Sequence, residues 1–241
     1  MGTFDQVEYE VRCEWGPVGV EELAPVSDVV IVVDVLSFTT CVDVVVGRGA
    51  TVFPCVWKDE RAAEMAEEHG AVLASPRGAG EFSLSPASLA SIPEGMRLVL
   101  PSPNGSTLSM ATGSVPTFAG SLRNAAAVAV AAAAVGPRIS VIAAGERWHH
   151  VDSSLRPAIE DWLGAGAIIA QLPGRLSPEA QLAAESFKCA LPDLAERIVR
   201  TSSGKELVAR GFGEDVALAS QWNISNCAPY LSDGAYVDGR F

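Results

Sequence analysis

The chain has 241 residues, close to half of them apolar, which is enough to bury a full core and too apolar for a disordered chain. Its formal net charge of −12 repels a phosphate backbone, so nucleic-acid binding is excluded as the expected function, and an anionic ligand needs aimed arginines or a bound metal. Five scattered cysteines without a Cys-x-x-Cys pair read as reduced thiols of a cytoplasmic protein. The polar, acidic start and two short or charge-interrupted apolar stretches (29–46 and 125–135) predict no signal peptide and no membrane partner.

Residues 7–12 alternate apolar and polar side chains, which predicts a half-buried strand. The β-branched run 28–33 predicts a strand covered on both faces and ending at Asp34. A helical pattern follows over 37–46 and stops at Gly47-Arg-Gly49. Residues 51–56 read as a strand, 58–69 as a solvated amphipathic helix closed by Gly70, and 71–74 as a short strand. Residues 75–95, rich in Pro, Gly and Ser, predict a long loop or lid. The rhythm resumes with a strand at 97–100, a helix start at 106–111, a strand at 115–119, an Ala-rich helix at 124–135, a strand at 139–143 and a loop at 147–152. Residues 154–172 open with helical character despite Pro157, the chain from Pro178 onward reads mostly as helices, and 226–231 is a candidate last strand. This alternation predicts an α/β fold, a layered, mostly parallel sheet flanked by helices. It spans 1–241 as a single unit or as two subdomains sharing a cleft.

In such sheets ligands bind beyond the carboxyl ends of the strands. Asp34 stands at the first such tip, where a carboxylate can hold magnesium, act as a base or simply cap the next helix. Pro101-Ser-Pro-Asn104-Gly105-Ser106-Thr107 follows the strand at 97–100, where small residues, hydroxyls and a helix start can cradle an oxyanion; an ordinary capped turn has the same composition. Gly120-Ser121-Leu-Arg123-Asn124 repeats the theme, with Arg123 able to fork onto an oxyanion or a surface carboxylate. Gly145-Glu146-Arg147 follows the strand at 139–143, and Glu160 and Asp161 lie beyond it. Adjacent residues on a helix point about 100° apart, so one of these two acids would face a given metal directly. His149 and His150 are poorly spaced to share a metal, although one of them could touch substrate.

These loops, in this order, resemble the 2-phosphosulfolactate phosphatase family, known from coenzyme M biosynthesis. The resemblance runs from Val29 to Tyr230. It rests on Val33-Asp-Val-Leu with Thr39-Thr40, on Asn104-Gly-Ser-Thr, on Gly120-Ser-Leu-Arg-Asn-Ala125, on Ala144-Gly145 with Glu160-Asp161 and Gly164-Ala-Gly166, and on Ser203-Gly-Lys-Glu-Leu-Val-Ala-Arg-Gly-Phe-Gly-Glu-Asp215. It implies a magnesium-dependent acid phosphatase that converts 2-phosphosulfolactate to sulfolactate and phosphate. It also implies one cleft ringed by Asp34, Thr39, Thr40, Asn104, Gly105, Ser106, Thr107, Ser121, Asn124, Gly145, Glu160 and Asp161. In this reading Asp34 with Glu160 or Asp161 holds Mg2+ and carries the chemistry, the 104–107 turn orients the phosphoryl group, and Arg123 is a candidate clamp.

The departures bear on the substrate. Where the family pattern has an Arg after Asp-Val-Leu, Ser37-Phe38 stands here. Its Cys-Ala-Gly reads Ala143-Ala144-Gly145, which argues against an obligatory thiol nucleophile, and its Gly-Glu-Arg loop is reduced to Ser75-Pro-Arg77-Gly. A charge-assisted hydrogen bond to an oxyanion is worth roughly 1.5–3 kcal/mol. The chain is therefore expected either to act on an altered substrate or to compensate through Arg77, Arg147 or His149. The alternatives to a phosphatase are a non-catalytic protein of the same fold that binds an anionic metabolite, and a homo-oligomeric structural subunit.

Overall fold

The computed structural model describes residues 2–57, 59–148 and 152–239. In chain order the elements are β1 (Val11–Trp15), α1 (Gly16–Leu23), β2 (Val29–Val33), α2 (Phe38–Gly47), β3 (Thr51–Cys55), α3 (Glu60–Glu68), β4 (Val72–Leu73), β5 (Arg97–Pro101), α4 (Gly105–Ala111), β6 (Thr117–Gly120), α5 (Ala125–Val135) and β7 (Ile139–Ala143). They continue with β8 (Glu146–Arg147), β9 (Leu155–Arg156), α6 (Ile159–Ile169), α7 (Pro178–Ala190), α8 (Leu194–Arg200), α9 (Ser202–Ala209), α10 (Gly213–Ala219), β10 (Pro229–Ser232) and β11 (Ala235–Asp238). Nine strands form one sheet in the order β1-β7-β2-β6-β10-β11-β3-β5-β4, while β8 and β9 pair separately. This is the expected α/β architecture. Among the described residues no helix is long and apolar enough to cross a membrane.

The sheet consists of two parallel blocks, β1-β7-β2-β6 and β3-β5-β4, joined by the antiparallel β10–β11 hairpin. Every residue of β2 and of β7 is buried, as their continuous apolar runs require of strands covered on both faces. The hairpin meets each block through one residue pair, Tyr230 with Phe118 and Tyr236 with Val52. Three antiparallel steps in succession make the second block run opposite to the first. Even so, the carboxyl ends of β2 and β5 meet, because the Gly105 amide after β5 donates to Asp34 Oδ2 after β2 at 2.8 Å. Helix α6, whose first turn carries Glu160 and Asp161, packs on α7 through small residues and is pinned by a hydrogen bond from Trp162 Nε1 to Ser186 Oγ.

Several expectations need correction. The first strand starts at Val11, with residues 7–10 outside any strand, and α1 follows it directly. Pro17 and two glycines disguise that helix, but proline is tolerated in a helix's first turn. The helix expected from 154 begins at Ile159. Pro157 biases Arg156 towards extended backbone, and Leu155–Arg156 becomes β9 instead. The strand expected at 226–231 is Pro229–Ser232, and a further strand, β11, follows it. The signal for that hairpin is Asp233-Gly234, where both residues adopt positive φ as a type I′ turn demands. Segment 75–95 has no helix of its own, yet Leu89 and Ile92 are buried and Ser75 bridges to Ser83, so it is a packed wall. Lys58, His149 and His150 lie outside the described residues.

Candidate active site

A cleft of about 540 Å³ opens at the ends of β2 and β5 and is lined by Asp34, Ser37, Arg77, Asn104, Glu146, Arg147, Arg156, Ser203 and Arg210 among others. Its floor is acidic. Asp34 is buried where the β2 chain turns into α2, and its two carboxylate oxygens accept from the Phe38 amide (3.3 Å) and the Gly105 amide (2.8 Å). Gly105 allows this approach because a Cβ there would lie 2.2 Å from Phe38 Cδ1. Burial, then the charge of Glu146, pushes the Asp34 carboxyl up to about 7 despite those two donors.

Glu160 and Asp161 both sit in the first turn of α6, and the structure separates their roles. Asp161 accepts from the Val35 amide (2.7 Å) and the Gly145 amide (2.9 Å), so it ties the loops after β2 and β7 together. Its carboxyl lies well above the usual range, first through burial and then through the charges of Asp34 and Glu160. Glu160 is also buried, but its Oε2 has no hydrogen-bond partner. A buried carboxylate oxygen without a donor is costly unless a ligand or an ion supplies one. Glu146, on β8, lines the same cleft and accepts from Asn104 Nδ2 at 3.0 Å; burial raises its carboxyl despite that bond.

Among the described residues, no group of three or more His, Cys, Asp or Glu side chains converges as a ready metal cage. Magnesium does not need one, since it keeps several waters and takes one or two carboxylates. A buried carboxylate oxygen on Glu160 that lacks a donor, with its charge acting on Asp34, fits that kind of ion.

The other sequence-predicted residues divide between site and scaffold. Thr39 Oγ1 donates to the Asp34 carbonyl and accepts from the Asp34 amide, and Thr40 Oγ1 donates to the Val35 carbonyl, so both brace the tip of β2. Ser106 and Thr107 hydroxyls turn back onto the Leu100 and Pro103 carbonyls. The 104–107 turn thus offers the cleft the Asn104 side chain, while its hydroxyls shape the turn itself. Asn124 Oδ1 accepts from the Ser121 amide and hydroxyl and closes the β6–α5 turn, and neither residue lines the cleft. Arg123 is also elsewhere. Its Nε donates to buried Asp43 at 2.8 Å and its Nη1 to Gln221, at a separate depression beside Ile224 and Asn226. Arg123 is therefore not placed to act as the expected clamp.

Other cations line the cleft. Arg77, from the 75–95 wall, pairs with Asp215 at the start of α10 and donates to Ser37 Oγ at 3.1 Å, and Ser85 Oγ and the Ala87 amide secure the far Asp215 oxygen. An arginine contributed by this wall thus reaches Ser37, the residue that follows Asp34-Val-Leu. Sequence reasoning has Glu146 only as part of the tip after 139–143 and Ser203 and Asp215 only as the ends of a motif, with no role for any of them, and it does not single out Arg156. Glu146 stands one residue past Gly145 at the tip of β7, so the strand-tip rule reaches it; Arg156 carries no local signal.

The match to known proteins is as extensive as the fold. The family model described as 2-phosphosulpholactate phosphatase matches residues 19–234. A Methanothermobacter thermautotrophicus protein named 2-phosphosulfolactate phosphatase is 31% identical over 214 residues, covering 86% of this chain and 88% of that protein. A Carboxydothermus hydrogenoformans protein named as a probable 2-phosphosulfolactate phosphatase is 29% identical over 221 residues, covering 86% and 89% respectively. The chain belongs to the 2-phosphosulpholactate phosphatase family.

Proposed function

We propose that this protein is a magnesium-dependent phosphatase that hydrolyses 2-phosphosulfolactate to sulfolactate and phosphate. The observation that carries the reading is the buried Glu160 Oε2 without a donor, whose charge acts on Asp34 where Asp34 lines an arginine-rich cleft. The names of the two relatives supply the substrate.

In this reading Asp34 and Glu160 would hold Mg2+, which when bound would neutralise charge developing on the phosphoryl oxygens. Asp161 accepts from the Val35 and Gly145 amides and so fixes the loops that carry Asp34 and Glu146. Asn104 orients Glu146. Glu146 lines the cleft, and burial raises its carboxyl above the usual range, which suits a group that takes up a proton. It accepts a proton from the attacking water as the water oxygen bonds to phosphorus. The P–O bond to the ester oxygen breaks, and the proton passes to that oxygen to give the sulfolactate hydroxyl.

The test is phosphate release from 2-phosphosulfolactate by the purified protein, with Mg2+ and with EDTA. Turnover that EDTA abolishes and excess Mg2+ restores is expected. A protein that binds Mg2+ yet releases no phosphate would overturn the proposal.

A further inference from the structure

The cleft is larger than its charged end. Its volume of about 540 Å³ falls in the range of roughly 300–1,000 Å³ that takes a drug-sized ligand, whereas 2-phosphosulfolactate has a three-carbon skeleton. The remaining space has a different chemistry. Strands β3, β5 and β4 are parallel neighbours, so the tips of β5 and β4 stand side by side. From Asp34 the cleft passes Pro101 at the tip of β5 and reaches Leu73 and Ala74 at the end of β4. Ala62 of α3, with Pro76 and Leu84 of the 75–95 wall, completes this arm.

None of these six side chains carries a polar atom, and Leu73 and Leu84 are only half-buried, so part of their apolar surface stays open. Among the described residues, the polar groups beside the arm are the Ser75 and Ser102 hydroxyls and Asp59. Asp59 is occupied by Arg61, which donates to its two oxygens at 2.9 and 2.6 Å, and Arg77 of the same wall is turned to Asp215 and Ser37. A sulfonate pressed onto such walls would exchange water for hydrocarbon and two hydroxyls, which is costly. An apolar group placed there would gain by shedding its water.

We propose that this arm receives the apolar side chain of a larger substrate, so that the protein also hydrolyses phosphate esters of 2-hydroxy acids that carry an alkyl or aryl group. The phosphate of such an ester sits at the Asp34 end, and its side chain lies against Leu73 and Leu84. The inference rests on the phosphatase reading above and names a further substrate class for the same site. Water adds to phosphorus, the ester P–O bond breaks, and the proton goes to the released 2-hydroxyl. Leu73 and Leu84 touch a non-reacting part of the substrate and so set specificity.

The test compares kcat/KM for the phosphate esters of lactate, 2-hydroxy-4-methylpentanoate and 3-phenyllactate, which differ only in the side chain. For wild type with Mg2+, the last two should exceed the first by about 10- to 100-fold. Leu73→Asn and Leu84→Asn should each remove most of that preference. Both should leave turnover of 2-phosphosulfolactate unchanged, which also reports that the variants are folded. Larger esters hydrolysed no faster than phospholactate overturn the arm. So does a preference that survives both substitutions, or a loss that both variants show equally on all four substrates. Should wild type hydrolyse none of the four, the phosphatase reading fails separately. Calorimetric binding of 3-phenyllactate and lactate then decides the arm: tighter binding of 3-phenyllactate that Leu84→Asn abolishes sustains it, and equal binding, or none, refutes it.

Discussion

Asp34 accepts one backbone N–H on each carboxylate oxygen, and this symmetry defines what its amide analogue would do. In Asp34→Asn one of the two donors must face an NH2 group, which costs about 1–3 kcal/mol of stability. The same change removes a proposed metal ligand, so phosphate release should fall by at least ~100-fold while the protein still unfolds cooperatively in urea. Glu160→Gln gives the opposite stability result. It removes an unanswered charge beside Asp34 and Asp161, so the thermal midpoint of the metal-free protein should rise, on the order of 2–4 °C, and Mg2+ should no longer shift it. Asp34 was legible because an apolar run ends on it. The division of labour between Glu160 and Asp161 was not: helical geometry says that they diverge, but only the packed Val35 and Gly145 amides decide which one is the structural acid.

At the level of elements, α4 approaches α2 so closely that position 105 has no room for a side chain. Gly105→Ala places a methyl against the Phe38 ring and should cost about 1–3 kcal/mol, read as a lower urea midpoint. The β6–α5 turn carries a different dependence. Arg123 answers buried Asp43, which also accepts from Ser225 Oγ at 2.6 Å. Arg123→Ala strands that carboxylate and should destabilise by roughly 3–5 kcal/mol. The folded fraction should keep its kcat, because Arg123 does not line the cleft. Most helices and core strands were readable from period and punctuation. The short β8–β9 pair was not, since two-residue strands have no period, and with it went the only local clue to Arg156.

Across the whole molecule, the site stores carboxyl groups that would rather be neutral. Asp34, Asp161 and Glu146 all have folded pKa values raised by burial, and an ordinary aspartate stands at 3.8. A carboxyl held above its unfolded value binds its proton more tightly when folded. Its contribution to stability is complete below about pH 4 and is lost as pH rises to about 7 for Asp34. In EDTA the thermal midpoint should therefore fall between pH 5 and pH 8, by on the order of 5 °C. Mg2+, which favours the ionised carboxylates, should stabilise more at pH 8 than at pH 5. A midpoint that rises over that range without metal would contradict the burial of these charges.

The amino-acid sequence alone determined the α/β class, the strand tips and the first acid of the site, because these follow from local periodicity and from where apolar runs stop. It did not determine that a β-hairpin from the last turns of the chain splits the parallel sheet, or that Arg77 reaches Ser37 from a distant loop while Arg123 turns away to Asp43. Those outcomes depend on contacts between residues 40 to more than 100 positions apart, such as Arg77 with Ser37 or Ser85 with Asp215. Charge pairing and burial select such contacts only once the elements have packed, and no short window of sequence contains both partners.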